Sequence, residues 1–388
     1  MKKILIVTNR FTKGGVETTL LTLLNNYSKK EYDVTLALCC SGGELEAYIP
    51  KDIHVRYLLP FNPMKLPKGI SQIYQFGLLL MPNCISNTFF VKGKYDAVIA
   101  YSGNMIYYVK GFKGKKTCWI HDDWFPFKTQ NHIIGRIRKK KTIKILSECE
   151  NVICVSNHLR DMLIKYSADQ LNNVRFLPNP IDVSKIKMRG EEKCEFKFED
   201  DKLYFVSTGR LHPIKGYERL INIISRIHLE HPDVILLILG NGEEQENLQK
   251  LINDKHAQEY IKLLGYQSNP HKFVKKCSMF ICSSFMEGYS TAISEAMILG
   301  NGIISTDCGG SEQLLENGKY GILTENTEQG LEGGIRKILE KRELIKDYRE
   351  LAEIRARELF DIQKSVDDIQ HIAFVCEGAY RGGGKNSN

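Results

Sequence analysis

Residues 278–300 read SMFICSSFMEGYSTAISEAMILG. An apolar run, SMFIC, leads into the polar SSFMEGY, and a helical pattern opens near Ser290. Ile293, Met297 and Ile298 are spaced for one buried face, and Gly300 suits the end of the helix. Ser290 or Thr291 can serve as N-cap. This is a strand–loop–helix unit, the repeat from which α/β sheets are built. It places Glu287 in the loop and Glu295 one to two turns inside the helix. Between them the backbone N–H groups of Gly288, Tyr289 and Ser290 lie at a helix N-terminus, where free donors and the dipole favour an anion. A phosphate flanked by carboxylates that take hydroxyls describes a sugar linked to a nucleotide. The spacing alone fits equally well an ordinary capped helix with an exposed Glu.

The same unit repeats in both directions. Upstream, KILIVTN (3–9), DVTLALC (33–39), VRYLL (55–59), DAVIAYS (96–102), TCWIHD (117–122), NVICVSN (151–157) and VRFLPNP (174–180) read as strands, with helical stretches between many of them, such as residues 16–27. A second series is LYFVSTGRL (203–211), DVILLILGNG (233–242), YIKLLGY (260–266), SMFICSS (278–284), GIISTDC (302–308) and YGILTE (320–325). Continuous apolar runs without alternation suit parallel strands covered on both faces. Two such series predict an α/β chain of two Rossmann-like, doubly wound domains facing across a cleft, with ligands beyond the carboxyl ends of the strands. The expected boundaries are 1–182 and 200–362, with a C-terminal helix near 363–380 completing the first domain. The charged residues 183–202 read as a poorly ordered connection, the stretch 331–375 as helix wrapped on the outside, and EGAYRGGGKNSN (377–388) as disordered.

Composition narrows the class. At 388 residues the chain favours two domains, and 43% hydrophobic residues exclude a disordered protein. MKKILIVTNRF reads as a buried first strand rather than a targeting segment. The longest apolar run, residues 76–85, is broken by Pro82 and Asn83, and no run approaches the ~20 residues of a membrane span. Eleven cysteines are scattered without a C-x-x-C pair, which suits buried thiols in a reducing cytoplasm better than disulfides or zinc. A net charge of +8 suits anionic small molecules or lipid headgroups and does not argue for nucleic acid.

Four further segments carry chemistry. GRLHPIKG (209–216) ends the first strand of the second series, and its Arg210 and Lys215 could reach a diphosphate or form a solvated basic loop. FTKGGVETTL has Gly14 and Gly15 in the turn between first strand and first helix, where a backbone can approach a ligand or simply turn tightly. WIHDDW (119–124) ends a strand, and His121 could touch a reacting sugar, accept a proton, or be a structural histidine. Asp122 and Asp123 form no D-x-D, and none occurs in the chain. GRIRKKKTIKIL (135–146) interleaves Arg136, Arg138, Lys139, Lys140, Lys141 and Lys144 with Ile137, Ile143 and Leu146, following Ile133 and Ile134. That stretch fits an amphipathic helix on anionic lipid, which would make the protein peripheral at the inner face of the cell membrane, or a solvated helix face. LGNGEEQ lacks the third glycine of a dinucleotide-binding turn, which argues against a nicotinamide-dependent oxidoreductase.

In order, GGVET, WIHD, VICVSNHLRD, LPNPID, STGRLHPIKG, LILGNGEEQENL, ICSSFMEGYSTAISEAMILG and STDCGGSEQLL resemble the retaining glycosyltransferases of family 4, which have the two-domain GT-B fold. The resemblance spans almost the whole chain, and the Asn179–Pro180 pair is similar to enzymes that build bacterial surface polysaccharides. It implies transfer of a sugar, with retention, from a nucleotide-sugar donor (UDP the commonest) to a glycan or lipid-linked acceptor, with no metal and no cofactor. It implies that Glu295 binds ribose hydroxyls and that Glu287 lies against the donor sugar. Gly209, Arg210 and Lys215 would hold the diphosphate, with Gly288, Tyr289, Ser290 and Thr291 at the donor. Gly15 would approach the phosphates or acceptor, His121 would lie beside the transferred sugar, and Glu312 would support the nucleotide side. Tyr289–Ser290 stands where family members often carry Phe-Gly or Phe-Pro, so donor preference does not transfer. A sugar-nucleotide epimerase, or a non-catalytic binding protein of the same fold, remains the alternative.

Overall fold

The structure is a computed structural model that describes residues 1–12, 14–121 and 133–375. Asp122, Asp123 and the terminal EGAYRGGGKNSN lie outside the described residues. The chain divides into two units, Met1–Ile181 together with the stretch from Ile362 onward, and Asp182–Asp361.

Each unit is built on one parallel sheet, as two Rossmann-like domains require. In the first, β1 (Lys2–Thr8), β2 (Tyr32–Leu38), β3 (His54–Tyr57), β4 (Ala97–Ala100), β5 (Lys115–Ile120), β6 (Asn151–Cys154) and β7 (Val174–Phe176) lie in the order β3-β2-β1-β4-β5-β6-β7. In the second, β8 (Leu203–Thr208), β9 (Val234–Leu239), β10 (Ile261–Leu263), β11 (Met279–Cys282), β12 (Gly302–Thr306) and β13 (Ile322–Thr324) lie in the order β10-β9-β8-β11-β12-β13. Each of the thirteen strands among the described residues coincides with a run read from sequence, although β1, β2 and β3 begin one residue earlier and β5 two residues earlier. The apolar runs lack alternation because both faces of each sheet are covered. All six residues of β9, VILLIL, are buried.

Helix Tyr217–His228 buries Leu220, Ile221, Ile223, Ile224 and Ile227, and helix Glu328–Glu340 buries Leu331, Ile335 and Ile338 in the same core. Each such side chain contributes roughly 1.5–3 kcal/mol on burial. Strand order reverses at β1/β4 and at β8/β11, and the loops leaving those strands are where such sheets take ligands.

Two expectations are corrected. Residues 183–202 are not a loose connection. Val183–Gly190 is a helix whose N-cap Asp182 accepts from Lys185 N at 2.9 Å, and Phe196, Phe198 and Tyr204 form an edge-to-face cluster. The charges there lie on exposed faces, and a few apolar residues dock the segment. The stretch 331–375 is not one outer helix. It is split into Glu328–Glu340, which lies in the core, Leu344–Leu359, and Ile362–Ile369 with its extension to Val375. The last piece belongs to the first unit, where Ser28 N donates to Gln370 Oε1 (2.6 Å), Asn151 Nδ2 donates to Ile372 O (2.9 Å), and Phe374 packs on Tyr32. No helix among the described residues is long and apolar enough to cross a membrane.

The loops after β8 and β9 touch backbone to backbone. Gly240 has φ +144°, and a Cβ there would lie 1.8 Å from the Gly209 carbonyl oxygen. Gly240→Ala therefore combines strain with an overlap that only backbone movement relieves, and should cost about 2 kcal/mol or more. Denaturant unfolding checks this, and an unchanged midpoint would show that the two turns are free to separate.

Candidate active site

The two motifs of the second domain meet at its switch point. Residues 209–216 follow β8 and residues 283–290 follow β11, and the two strands are adjacent. Gly216 has φ +64°, and a Cβ there would lie 2.1 Å from the Ser283 carbonyl oxygen, so only glycine lets the loops close. Ser283 Oγ donates to Lys215 O (2.8 Å) and Phe285 N to Ile214 O (2.7 Å). Arg219, a buried guanidinium, donates to Ser283 O at 2.6 Å and Ser284 O at 2.8 Å while stacking on Phe285. The loop carrying Glu287 is thereby fixed from below.

At the centre, Lys215 Nζ lies 2.5 Å from Glu287 Oε1, which also accepts from Ser284 Oγ at 2.7 Å. Glu287 N donates to Cys308 O at 2.7 Å, tying the loop to the end of β12. The Lys215 and Glu287 side chains are 24% and 13% exposed, so the pair is largely enclosed yet reachable. Burial opposes the lysine charge, but the Glu287 carboxylate more than offsets it and holds the ammonium above the usual lysine range.

Helix Thr291–Ile298 begins beside this pair. Ser290 is its N-cap and accepts from Ile293 N. Among the described residues no acceptor takes the N–H groups of Thr291 and Ala292, which leaves a donor pair at the helix start. Tyr289 is buried, so its side chain serves packing and only its backbone faces the loop. Glu295 does not join Glu287. It accepts from the buried His271, at Nε2···Oε2 3.1 Å. Arg210 also stays apart from the central pair. Its guanidinium is 68% exposed and lies 3.4 Å from Glu243. Gly209 has φ +155° at the end of β8, and Glu312 is exposed in the first turn of helix Gly310–Leu315.

In the first domain Gly14 is the N-cap and Gly15 the first residue of helix Gly15–Asn26, not a turn residue. His121 follows β5, buried against the rings of Tyr101 and Trp119. Neither ring nitrogen has a hydrogen-bond partner among the described residues. Burial pushes its pKa down to about 3. A ring so reluctant to gain a proton stays neutral and is ill suited to act as a proton acceptor. Helix Ile133–Ser147 turns Thr142, Ile143, Ile145 and Leu146 inward, so Ile143 and Leu146 are unavailable to lipid. Ile133 and Ile137 stay exposed, with Arg136, Lys140, Lys141 and Lys144. Among the described residues no three His, Cys, Asp or Glu side chains gather as metal ligands.

Sequence reasoning missed Arg219 and His271. Arg219 had a visible signal, a lone charge within the apolar face of YERLINII. His271 had none, because its partner lies 24 positions away.

Comparison with known proteins agrees with this layout. Residues 13–185 match the family model for Glycosyltransferase Family 4, and residues 188–355 match Glycosyl transferases group 1. An uncharacterized glycosyltransferase of Methanocaldococcus jannaschii is 31% identical over 58% of this chain and 56% of its own length. The N-acetylgalactosamine-N,N'-diacetylbacillosaminyl-diphospho-undecaprenol 4-alpha-N-acetylgalactosaminyltransferase of Campylobacter jejuni is 29% identical over 55% of this chain and 57% of its own length. The chain thus spans little more than half the length of these curated relatives. The crystal structure of Anabaena HepE in complex with UDP superposes with a TM-score of 0.73 at 18% identity, over 96% of this chain and 100% of that one. That likeness establishes the GT-B fold.

The state of His121 predicts a pH effect. Its folded value, about 3, lies below the ordinary 6.5, so the folded protein binds this proton more weakly than the unfolded chain does. The stability it contributes is full above about 6.5 and is lost as pH falls toward about 3. Melts of wild type and His121→Phe should converge as the pH falls from 7 to 4, with wild type losing more. Parallel curves would contradict the burial of the ring.

Proposed function

Both domains of this chain are of glycosyltransferase type, family 4 up to residue 185 and group 1 from residue 188, and on that premise we propose that it moves a sugar from a nucleotide-sugar donor to a glycan or lipid-linked acceptor with retention at the anomeric carbon. The observation that carries the proposal is the Lys215–Glu287 pair at the switch point of the second sheet, beside the N–H groups at the start of helix Thr291–Ile298 that have no acceptor among the described residues.

In this reading the diphosphate displaces part of the Glu287 contact and takes the Lys215 ammonium and the N–H groups of Thr291 and Ala292. Arg210 is exposed and swings from Glu243 to the phosphates. As the bond from anomeric carbon to phosphate breaks, negative charge grows on the leaving oxygen, and these donors are already in place to meet it. Glu287 lies beside the sugar, where its carboxylate steadies the positive charge of an oxocarbenium-like ion pair. The acceptor hydroxyl then attacks from the face the phosphate leaves and gives its proton to the departing phosphate oxygen. Glu295 takes the ribose hydroxyls, and His121 makes a neutral contact near the sugar. Because the leaving charge is met by cations and N–H groups of the chain, the reading needs no divalent ion.

A UDP-linked donor is favoured by the UDP bound in Anabaena HepE. A lipid-linked acceptor is favoured by the undecaprenol named for the Campylobacter jejuni relative. It is also favoured by the exposed Ile133 and Ile137 among Arg136, Lys140, Lys141 and Lys144, which suit an anionic membrane surface and a cytoplasmic, peripheral protein. The role expected is assembly of bacterial surface polysaccharide.

Lys215→Ala and Glu287→Ala should each lower turnover by roughly 100-fold or more, as loss of a preorganised charge does elsewhere. Turnover should persist in EDTA. The assay is release of free nucleotide from UDP-sugars on addition of a lipid-linked or glycan acceptor. Near-normal turnover in either variant would remove the assigned roles, and conversion of the sugar without lasting nucleotide release would favour the epimerase reading.

A further inference from the structure

We infer that His271 is a positioning residue for nucleotide recognition, acting through Glu295. The inference rests on the donor reading above and adds to it a group that holds the ribose-binding carboxylate in place.

Three observations carry it. His271 is buried at the start of the short helix His271–Val274, and its Nε2 lies 3.1 Å from Glu295 Oε2. Among the described residues its buried Nδ1 has no hydrogen-bond partner. Its backbone is pinned as well. Asn269 Oδ1 accepts from His271 N (3.1 Å), while Asn269 Nδ2 donates to Arg189 O and Glu192 Oε2, both at 2.8 Å. The imidazole therefore projects from a braced support that belongs wholly to the second domain.

The chemistry follows from those contacts. A carboxylate only accepts, so the ring nitrogen facing it must donate, and the hydrogen sits on Nε2. Glu295 is partly exposed on its helix, and without this contact its side chain would sample several rotamers. The Nε2–H bond selects one. It occupies one of about four lone-pair sites on the carboxylate and leaves the others for two vicinal hydroxyls. The nucleotide then meets an acceptor that is already oriented, and the rotamer entropy is not lost on binding.

The test is a ligand–variant cycle by calorimetry, using UDP beside 2′,3′-dideoxy-UDP, with the matching GDP and ADP pairs in parallel. His271→Phe should weaken the parent nucleotide about 10-fold and leave the dideoxy form unchanged, since that form offers Glu295 no hydroxyl. His271→Gln, which keeps an N–H near Nε2, should restore most of the affinity. If His271→Phe does not fold, His271→Asn, whose shorter amide falls short of Glu295, removes the contact while keeping a polar side chain and must show the same selective loss. Equal weakening of both nucleotides would make His271 merely structural and overturn the inference, as would no weakening of either. Glu295→Ala separates the two levels. If it too leaves parent affinity unchanged, or if no parent nucleotide binds, the donor reading itself fails. If Glu295→Ala weakens the parent and His271→Phe does not, only the positioning role is lost.

Discussion

An ammonium and a carboxylate 2.5 Å apart join two loops whose strands are adjacent in the sheet but distant in sequence. Lys215 and Glu287 can meet only because β8 and β11 lie side by side where the strand order reverses. Both side chains are mostly enclosed, so neither charge has enough water to stand alone. Removing one partner of such a pair typically costs about 3–5 kcal/mol, because the other is left uncompensated. That constraint links fold to function. A site that keeps a cation largely enclosed and in place can meet a leaving phosphate without reorganising, and the same pairing holds the two loops in register.

The surrounding contacts serve that register. Gly216 allows the close approach, Arg219 gathers the carbonyls of Ser283 and Ser284, and Cys308 O takes the Glu287 amide. Glu295 has a separate support in His271. The two acids of the sequence motif are thus held by different partners, one by a lysine and one by a histidine. The division suits the roles proposed for them, one near the breaking bond and one on the nucleotide.

Much of this was legible in the sequence, for a physical reason. Strands of a doubly wound sheet are buried on both faces, so VILLIL or SMFIC announces itself without any partner being known. The Ser290 cap and the Gly300 stop follow from local backbone needs in the same way. What was not legible depends on long-range pairing or on a few residues against the trend. The helix Val183–Gly190 was hidden by its charges, since only Ile186 and Gly190 within it are buried. The inward turn of Ile143 and Leu146 in the basic helix could not be told from a lipid-facing stripe, because both faces satisfy the same periodicity. Arg210 and Lys215 look alike in the loop, yet one is enclosed against Glu287 and the other is exposed beside Glu243.

The central claim is that the Lys215–Glu287 site receives the diphosphate of a nucleotide sugar. A crystal structure with UDP bound tests it most directly. The account predicts a phosphate oxygen within hydrogen-bond distance of Lys215 Nζ and of the Thr291 or Ala292 N–H, with the ribose on Glu295. A well-ordered nucleotide bound elsewhere, with the Lys215–Glu287 contact undisturbed, would contradict it.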